Sequence, residues 1–523
     1  MPKKQKWFWL AALIAAWLFN FLFWSKGSGV SFFIWIAILL LAGYTLAWSE
    51  GKKPSALSVL LTCFILGFAA VIALRNEPLT RAVSILLTLN GMLLLTATFL
   101  NGYWPWYRIK DYVVELVRVI GAGFSGAIWL LAKGKTPPPV DGSPAKSGWS
   151  KAWPVIRGLL IALPVVAVLG LLLASADQVF SDWVKRILNI EKLPEYLFRL
   201  FYILIIAGFL VGVYLKAIYP RKTAQKPEPN QAWLQPFLGW TESGIVLGAV
   251  NLLFIIFVII QVRYLFGGEA NISETGFTYA EYARRGFSEL VAVAVLSLGL
   301  YLLLGTVTKT ESQGSKVGFT ALAVLLMVNV LVILASSFLR LMLYENAYGF
   351  SRPRTYTHIF IYWLAGLILA VMVLELMKRR GRIALALLVA VVGFGATMAI
   401  LNIDGFIVQR NVARAEAGAE LDVVHLTTLS ADAVPQLLQK YQSPELRKEV
   451  REGLGATLAC MEKAIQDPAD LPWQEYNFGQ ARATQLLREN ADSWSQYKAY
   501  QTDRDWVVRL NGQRIYCAYF IMD

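Results

Sequence analysis

Eleven stretches of this chain, each 16 to 26 residues long, contain no Asp, Glu, Lys or Arg. A helix needs about 20 apolar residues to cross the ~30 Å hydrocarbon core of a bilayer, so each stretch can span a membrane. No other feature constrains the fold as strongly, and it predicts an all-α polytopic membrane protein with about 11 transmembrane helices. The stretches are 7–25, 27–49, 54–74, 82–107, 158–176, 200–215, 243–262, 290–308, 317–339, 355–374 and 383–403.

The charged residues divide the chain into two parts. Residues 1–401 contain 36 Lys and Arg against 18 Asp and Glu, whereas residues 402–523 contain 13 against 17. Charged residues make up 16% of the chain, compared with about 25% in a soluble protein. The positive charges flank apolar stretches and form no stripe with interleaved aromatics, which argues against a nucleic-acid partner. The composition therefore predicts a basic membrane part and a mildly acidic, water-soluble tail.

Positive charges also predict the orientation of the chain. Lys3, Lys4 and Lys6 precede a first stretch that is too long for a signal peptide, so we interpret it as a retained helix. With the N-terminus inside and eleven crossings, the inside segments carry 23 Lys and Arg and the outside segments carry 13. Cytoplasmic loops are enriched in these residues. We therefore expect a bacterial cytoplasmic (inner) membrane protein with a cytoplasmic N-terminus and an extracytoplasmic tail.

One shorter apolar run, 119–132, follows several charged residues and is too short for a typical span. We expect 111–132 to form an interfacial helix on the cytoplasmic face; if it spanned instead, the tail would lie inside. A segment rich in Pro and Gly follows it and is typical of a flexible linker. The predicted sections are a four-helix membrane section at 1–110, an interfacial helix and cytoplasmic linker at 111–152, a seven-helix membrane section at 153–403 and an extracytoplasmic domain at 404–523.

The tail is predicted to be small and mostly helical. Apolar residues recur at helical spacing in Asp432–Tyr441, Pro444–Gln466 and Gly479–Glu489. The end of the chain differs, because Asn511-Gly512 separates two strand-like segments, Trp506–Leu510 and Gln513–Phe520. Asn-Gly supplies the positive φ angles of a two-residue turn, so we expect a β-hairpin there.

Polar residues gather where helices end on the predicted outer side. One interpretation is local, because such residues cap helices or anchor them at the membrane surface. The other is that they converge into one outward-facing pocket for an anionic group, such as a lipid headgroup or an envelope glycan, since Arg pairs with phosphate or carboxylate through two bonds. The candidate binding residues are Asp177, Arg263, Glu281, Arg284, Arg285, Arg340, Glu345, Arg352, Arg354 and Asp404.

These polar segments resemble a known family. The chain is similar to a bacterial polytopic membrane family catalogued as domain of unknown function 4173, which is related to domain of unknown function 4153. The resemblance covers roughly residues 155–440; it implies a bacterial multi-pass membrane protein and no activity. The similar segments are Leu173–Phe180, Gln261–Gly268, Tyr279–Phe287, Leu343–Gly349 with Arg352 and Arg354, Asn402–Asp404 with Arg410–Asn411, and Leu429–Ala433.

Residues of known catalytic and metal-binding patterns are sparse. The two histidines, His358 and His425, have no metal-ligand spacing with Cys, Asp or Glu, and we expect no metal and no cofactor. Gly123-Phe-Ser-Gly126 is similar to a motif of intramembrane serine proteases, but neither histidine is placed as an obvious base. Cys460 and Cys517 are the only cysteines of the tail and can form a disulfide in an oxidising compartment.

Three classes of function remain after these exclusions. The favoured one is a non-enzymatic envelope sensor, scaffold or assembly partner that binds another membrane protein through its tail. The second is a transporter or channel for an amphiphilic or anionic substrate, for which Asn90, Asn251 and Asn329 are the deep amides that can line a path. The third is a membrane enzyme acting on envelope lipid or glycan with Glu281, Asp177 or Asp404 as acid or base.

Overall fold

The computed structural model describes residues 4–132, 193–220, 236–265, 287–502, 506–510 and 512–517, together with isolated residues between 162 and 180. Long apolar helices form the first and larger part, and short amphipathic helices form the second. The first part contains α1 (Gln5–Phe23), α2 (Val30–Ser49), α3 (Ala56–Leu74), α4 (Pro78–Thr98), α5 (Ile109–Ala132), α6 (Leu193–Ile218), α7 (Trp240–Leu265), α8 (Phe287–Val307), α9 (Gln313–Tyr348), α10 (Arg352–Leu376) and α11 (Ile383–Ile400). The second contains α12 (Ile403–Glu416), α13 (Val423–Thr427), α14 (Val434–Tyr441), α15 (Lys448–Ala464) and α16 (Phe478–Glu489).

Ten helices among the described residues are long and apolar enough to cross a membrane: α1 to α4 and α6 to α11. They coincide with ten of the eleven uncharged stretches. The remaining stretch, 158–176, falls where the structure describes only isolated residues. Many large apolar side chains on the outer walls of these helices are exposed, as expected for surfaces that face lipid. The predicted fold class, a helical membrane part with a small C-terminal unit, is confirmed.

The N-terminus and the C-terminal unit lie at opposite ends of the helix bundle, and α2 connects the two ends. The first residue of α2, Val30, donates its N–H to the carbonyl of Tyr476 at 3.0 Å. Just beyond the other end of α2, the carboxylate of Glu50 accepts the N–H of Lys4 at 2.9 Å. Because α2 has 20 residues, these contacts are separated by about 30 Å. We call them the domain end and the far end of the bundle; which of them faces the cytoplasm stays a prediction.

Helix α5 packs across α6 through small residues. A Cβ at Gly126 would collide with the backbone of Gly212, so the two helices approach more closely than larger side chains permit. Near its start, Glu115 pairs with Lys216 at 3.1 Å. Near its end, the carbonyl of Leu130 accepts a hydrogen bond from Gln5 at 3.3 Å. Both of these contacts are with residues of the far end, while the predicted membrane-surface position of 111–132 stays a prediction.

The C-terminal unit has a core that continues into the bundle. Leu437, Leu454 and Trp494 are buried in the same apolar cluster as Ile359 of α10 and Met398 of α11. The unit therefore rests directly on the ends of two membrane helices. Its helices α14, α15 and α16 agree with the three predicted segments to within a few residues, whereas α12 and α13 match no predicted segment.

A three-stranded antiparallel sheet follows these helices in the order β1 (Ala499–Gln501), β2 (Trp506–Leu510) and β3 (Gln513–Tyr516). The predicted hairpin is β2 and β3, with Leu510 opposite Gln513 and Gly512 at a φ of +82°. Strand β1 was not predicted, since three residues carry too little alternation to be recognised. A disulfide joins Cys460 of α15 to Cys517, directly after β3.

Candidate functional site

The predicted binding residues that the structure describes lie mainly where the C-terminal unit meets the bundle. Arg340 and Glu345 belong to the last turns of α9, Arg352 and Arg354 to the first turn of α10, and Asp404 to the first turn of α12. Glu281, Arg284 and Arg285 are outside the described residues, and so is the side chain of Arg263. We call the region around Arg352 and Asp404 the junction.

Arg352 and Asp404 form the central ion pair of the junction. The guanidinium donates twice, from Nε to Oδ1 at 2.8 Å and from Nη2 to Oδ2 at 2.7 Å. Oδ2 also accepts the backbone N–H of Ser430 at 2.7 Å. Asp404 has no exposed surface, so its charge is stabilised by these partners and not by water. The pair therefore joins α10 to α12 and to the loop before α14.

A second set of buried carboxylates joins the C-terminal unit to the loop between α3 and α4. Asp432 Oδ2 accepts the backbone N–H groups of Asn76 and Glu77 at 2.7 and 3.0 Å. Glu77 caps the start of α4 by accepting the N–H of Thr80 at 2.7 Å, and it also accepts the hydroxyl of Tyr356 from α10. Two segments about 355 residues apart in the chain are thereby held together.

A tight turn connects α9 to α10 and is held by α12. Gly349 has a φ of +81°, and a Cβ added there would lie 2.8 Å from Oδ1 of Asn411. Asn411 binds both backbone groups of Phe350, accepting its N–H at 2.7 Å and donating to its carbonyl at 2.9 Å. Arg414 donates to the carbonyls of Asn346 and Ala347 at 2.8 and 2.6 Å, which satisfies the open end of α9. Only glycine fits this turn without strain.

The predicted binding residues Glu345, Arg340 and Arg354 contact neighbouring side chains and backbone groups of the bundle. Glu345 is buried and lies 3.1 Å from Nδ1 of His358. Arg340 donates from Nη2 to the side-chain oxygen of Gln261 at 2.8 Å. Arg354 donates to the carbonyl of Gly349 and lies 3.9 Å above the ring of Tyr344. These groups contact α7, α9 and α10.

Asp177 is exposed and has a local role. Its Oδ1 accepts the N–H of Phe180 at 2.9 Å, the geometry of a side-chain cap. This contact matches the local interpretation of its position, and the described residues do not bring it to the junction.

The pKa values of His425 and Asp432, in the C-terminal unit, are both shifted. Burial lowers the pKa of His425, and the positive charges of Arg352 and Arg354 lower it further, against the raising effect of Asp422. Burial raises the pKa of Asp432, although its two backbone hydrogen bonds act in the opposite direction. The folded protein therefore favours the neutral form of His425.

The far end carries a comparable buried carboxylate that sequence reasoning missed. Glu375, in the last turn of α10, accepts the hydroxyls of Tyr301 and Thr320 at 2.7 and 2.8 Å and two bonds from Arg380. Glu375 directly follows an uncharged stretch, where a charged residue usually only marks the end of a membrane helix, so the sequence does not single it out. Glu77 and Asp432 were missed too; a signal for Glu77 was available in Glu77-Pro78-Leu79-Thr80, a typical helix start.

The arrangement suits structural docking more readily than metal binding. Across the part of the chain that the structure describes, no three His, Cys, Asp or Glu side chains are grouped so that they could hold a metal ion. Gly123-Phe-Ser-Gly126, which is similar to a protease motif, serves helix packing: a Cβ at Gly123 would collide with the ring of Phe209, and Ser125 donates to the carbonyl of Gly121 at 2.8 Å.

Comparison with known families identifies a match. The family described as Domain of unknown function (DUF4153) matches residues 36–439, well over half of the chain. The chain belongs to the DUF4153 family. The matched region ends inside the C-terminal unit and contains Arg352, Asp404 and Asp432, so the junction is part of the family region. Neither the comparison with curated proteins nor that with solved structures returned a match.

Proposed function

We propose that this DUF4153 protein is a non-enzymatic sensor, scaffold or assembly partner of the bacterial cell envelope. It resides in the cytoplasmic membrane and presents its C-terminal domain, residues 404–523, on the extracytoplasmic side to another membrane protein. Within the family, its polar segments support placement with domain of unknown function 4173.

The observation that carries this proposal is that the buried carboxylates of the junction are bonded to other groups of the protein. Asp404 is bonded to Arg352 and Ser430, and Asp432 is bonded to the backbone of the α3–α4 loop. Catalytic groups need an open face toward a substrate, whereas these carboxylates direct their oxygens at the protein itself. These bonds attach the C-terminal domain to the bundle, which supports a domain that is held in a defined position for recognition.

The length of α9 supports the same interpretation. Its 36 residues extend about 54 Å, far more than the ~30 Å of hydrocarbon that a span crosses. The segment after Leu339 therefore projects beyond the apolar stretch toward the C-terminal domain, where Arg414 binds its last carbonyls. A rigid support of this kind suits a protein that displays a domain at the membrane surface.

Transport is the second candidate, and one observation bears on it. Asn329 donates its amide to Oδ1 of Asn251 at 3.1 Å, and Asn251 donates to the carbonyls of Leu247 and Leu322. The two amides thus join α7 to α9, a structural use of such residues in membranes. Asn90 is exposed on α4 and donates to the carbonyl of Leu86 within its own helix. These contacts favour helix packing over a lined path.

Binding of an anionic headgroup or glycan by the predicted arginine cluster, and enzymatic action on such a molecule, stay proposals of lower rank. The junction arginines Arg352 and Arg354 are engaged with Asp404, Gly349 and Tyr344, which leaves less of their bonding capacity for a ligand.

In vivo photo-crosslinking tests the recognition role. A photoreactive amino acid at Val424 or Tyr516, each 56% exposed in the C-terminal domain, is expected to give a discrete adduct with one envelope protein. The same probe at Leu296, an exposed residue on the wall of α8, serves as a control and is expected to capture lipid only. Adducts with lipid or glycan alone from both domain positions would contradict the proposal and favour the alternatives.

A further inference from the structure

One segment of the C-terminal domain turns its polar side chains inward and its aromatic side chains outward. In Leu471–Phe478, which we call the Trp473 segment, Gln474 and Asn477 are buried while Trp473 and Phe478 are each 51% exposed. Asn477 donates to the carbonyls of Ile72 and Arg75 at 3.0 Å each, at the end of α3. The polar side of the segment is therefore docked on the bundle, and its apolar side faces away from it.

Two contacts fix the level of the Trp473 segment along the bundle. The carbonyl of Tyr476 accepts the N–H of Val30, the first residue of α2. The ring of Trp473 lies 6.4 Å from the ring of Phe21, in the last turn of α1. Both partners belong to the terminal turns of membrane-spanning helices. The segment thus lies at the height where the apolar spans end.

The surrounding side chains are typical of a membrane edge. Phe21 is exposed on the outer wall of α1, and the ammonium of Lys26 lies 4.9 Å above its ring. Trp24 stacks on Tyr202 with ring centres 5.6 Å apart, and the guanidinium of Arg199 lies 4.4 Å from the ring of Trp24. Tryptophan, tyrosine and long cationic side chains concentrate at the boundary between headgroups and acyl chains.

We propose that the Trp473 segment is a lipid-binding element, with Trp473 and Phe478 inserted into the headgroup–acyl boundary. The exposed aromatic surface is continuous with the lipid-facing wall through Phe21, so the partner it fits is the bilayer itself. Exposed aromatic side chains gain most at this depth, where their rings meet apolar chains and remain near water. The C-terminal domain then touches the membrane at a site separate from its junction with α9, α10 and α12.

Site-directed spin labelling in liposomes tests the proposal. Trp473→Cys and Phe478→Cys are labelled separately in a Cys63→Ala chain, which keeps the Cys460–Cys517 bridge. Collisions with oxygen, which partitions into lipid, are compared with collisions with a water-soluble nickel complex. Oxygen contact at least as frequent as nickel contact is expected at 473 and 478. Tyr516→Cys is the matched control, because this similarly exposed aromatic lies on β3, and nickel contact is expected to dominate there.

Two results would overturn the proposal. One is nickel access at 473 equal to that at 516, which indicates a water-exposed surface. The other is exclusion of both reagents at 473, which indicates a protein contact. Non-reducing peptide mapping verifies that each labelled protein keeps the Cys460–Cys517 bridge, and a circular-dichroism melting curve matching that of the unlabelled Cys63→Ala chain verifies that it has folded.

Discussion

Arg352 and Asp404, 52 residues apart in the chain, form a two-bonded ion pair in which the carboxylate has no exposed surface. Taking two charges out of water is costly, so the pair stabilises the fold only while both partners and their hydrogen bonds are present. The junction is therefore expected to be sensitive to removal of either charge alone and more tolerant of neutralising both.

Arg352→Met leaves Asp404 buried and uncompensated. We expect the free energy of unfolding, measured by reversible denaturation in mixed micelles, to fall by about 3 kcal/mol. The double variant Arg352→Met with Asp404→Leu is expected to recover part of that loss, because no unpaired charge remains. Arg410→Met is the control: this exposed arginine lies 5.2 Å from the ring of Phe406, and its loss should cost less than about 0.5 kcal/mol. Equal losses for Arg352→Met and Arg410→Met would show that the pair is unimportant.

Gly349→Ala tests the turn between α9 and α10. The positive φ and the close approach of Asn411 make any side chain strained, and we expect a loss of about 1–3 kcal/mol in unfolding free energy. Gly366→Ala is the matched control on α10, because a Cβ there meets no atom within 4 Å. This second change should be neutral or slightly stabilising, since alanine favours helix. An unchanged stability of Gly349→Ala is the contradicting outcome.

The bundle places the N-terminus and the C-terminal domain at opposite ends, and the positive charges predict that the domain faces outward. Alkaline phosphatase fused after Asp523 is expected to be active, and a green fluorescent protein fused at the same place is expected to be dark. Fusions after Lys53, in the loop that follows Glu50 at the far end, should give the reverse pair of results. A bright fluorescent fusion at Asp523 would overturn the orientation.

The lowered pKa of His425 predicts a pH dependence of stability. Its folded pKa is lowered below the usual value of about 6.5, so folding favours the neutral ring. This contribution is complete above the unfolded pKa and is lost as the pH falls through the folded pKa. Thermal denaturation scans between pH 7.5 and 5 should therefore show a larger decrease in midpoint for the native chain than for His425→Gln. Parallel curves for the two proteins would rule this out.

The disulfide ties the final hairpin to α15. Cys460→Ser with Cys517→Ser opens a loop of 57 residues and should lower the unfolding free energy by about 2–4 kcal/mol. Cys63→Ser is the control, because Cys63 is an exposed free cysteine on α3. Mass spectrometry without reductant is expected to show one bridged pair of tail peptides in the native protein. Two free thiols in the tail would exclude the bridge.

The bundle was predictable from sequence because a membrane span imposes a length and the absence of charge on its residues. The helices of the C-terminal domain were predictable because each has a local apolar period, and its hairpin because Asn511-Gly512 is a local turn signal. Each of these patterns lies within a few turns of chain. That is why α14 and β2 were found, while the three-residue strand β1 was not.

The junction was only partly predictable, because its partners are set by long-range packing. Arg352 and Asp404 were recognised as polar residues at helix ends, but their pairing depends on how α10 and α12 meet. Asp432 accepts the backbone N–H of Asn76. Every residue except proline carries such a donor, so no sequence pattern identifies Asn76 as the partner of Asp432. The predicted binding role of Glu281, Arg284 and Arg285 stays a prediction, because these residues lie outside the part of the chain that the structure describes.

Helix α9 runs without a break from Gln313 at the far end to Tyr348 beside the C-terminal domain, so a change in its tilt would be transmitted along its whole length. A thinner bilayer tilts such a helix, and a thicker one brings it upright. The nine residues beyond Leu339, about 13 Å of helix, swing with it and carry the carbonyls that Arg414 holds. We therefore expect a change in membrane thickness to displace the C-terminal domain relative to the rest of the bundle.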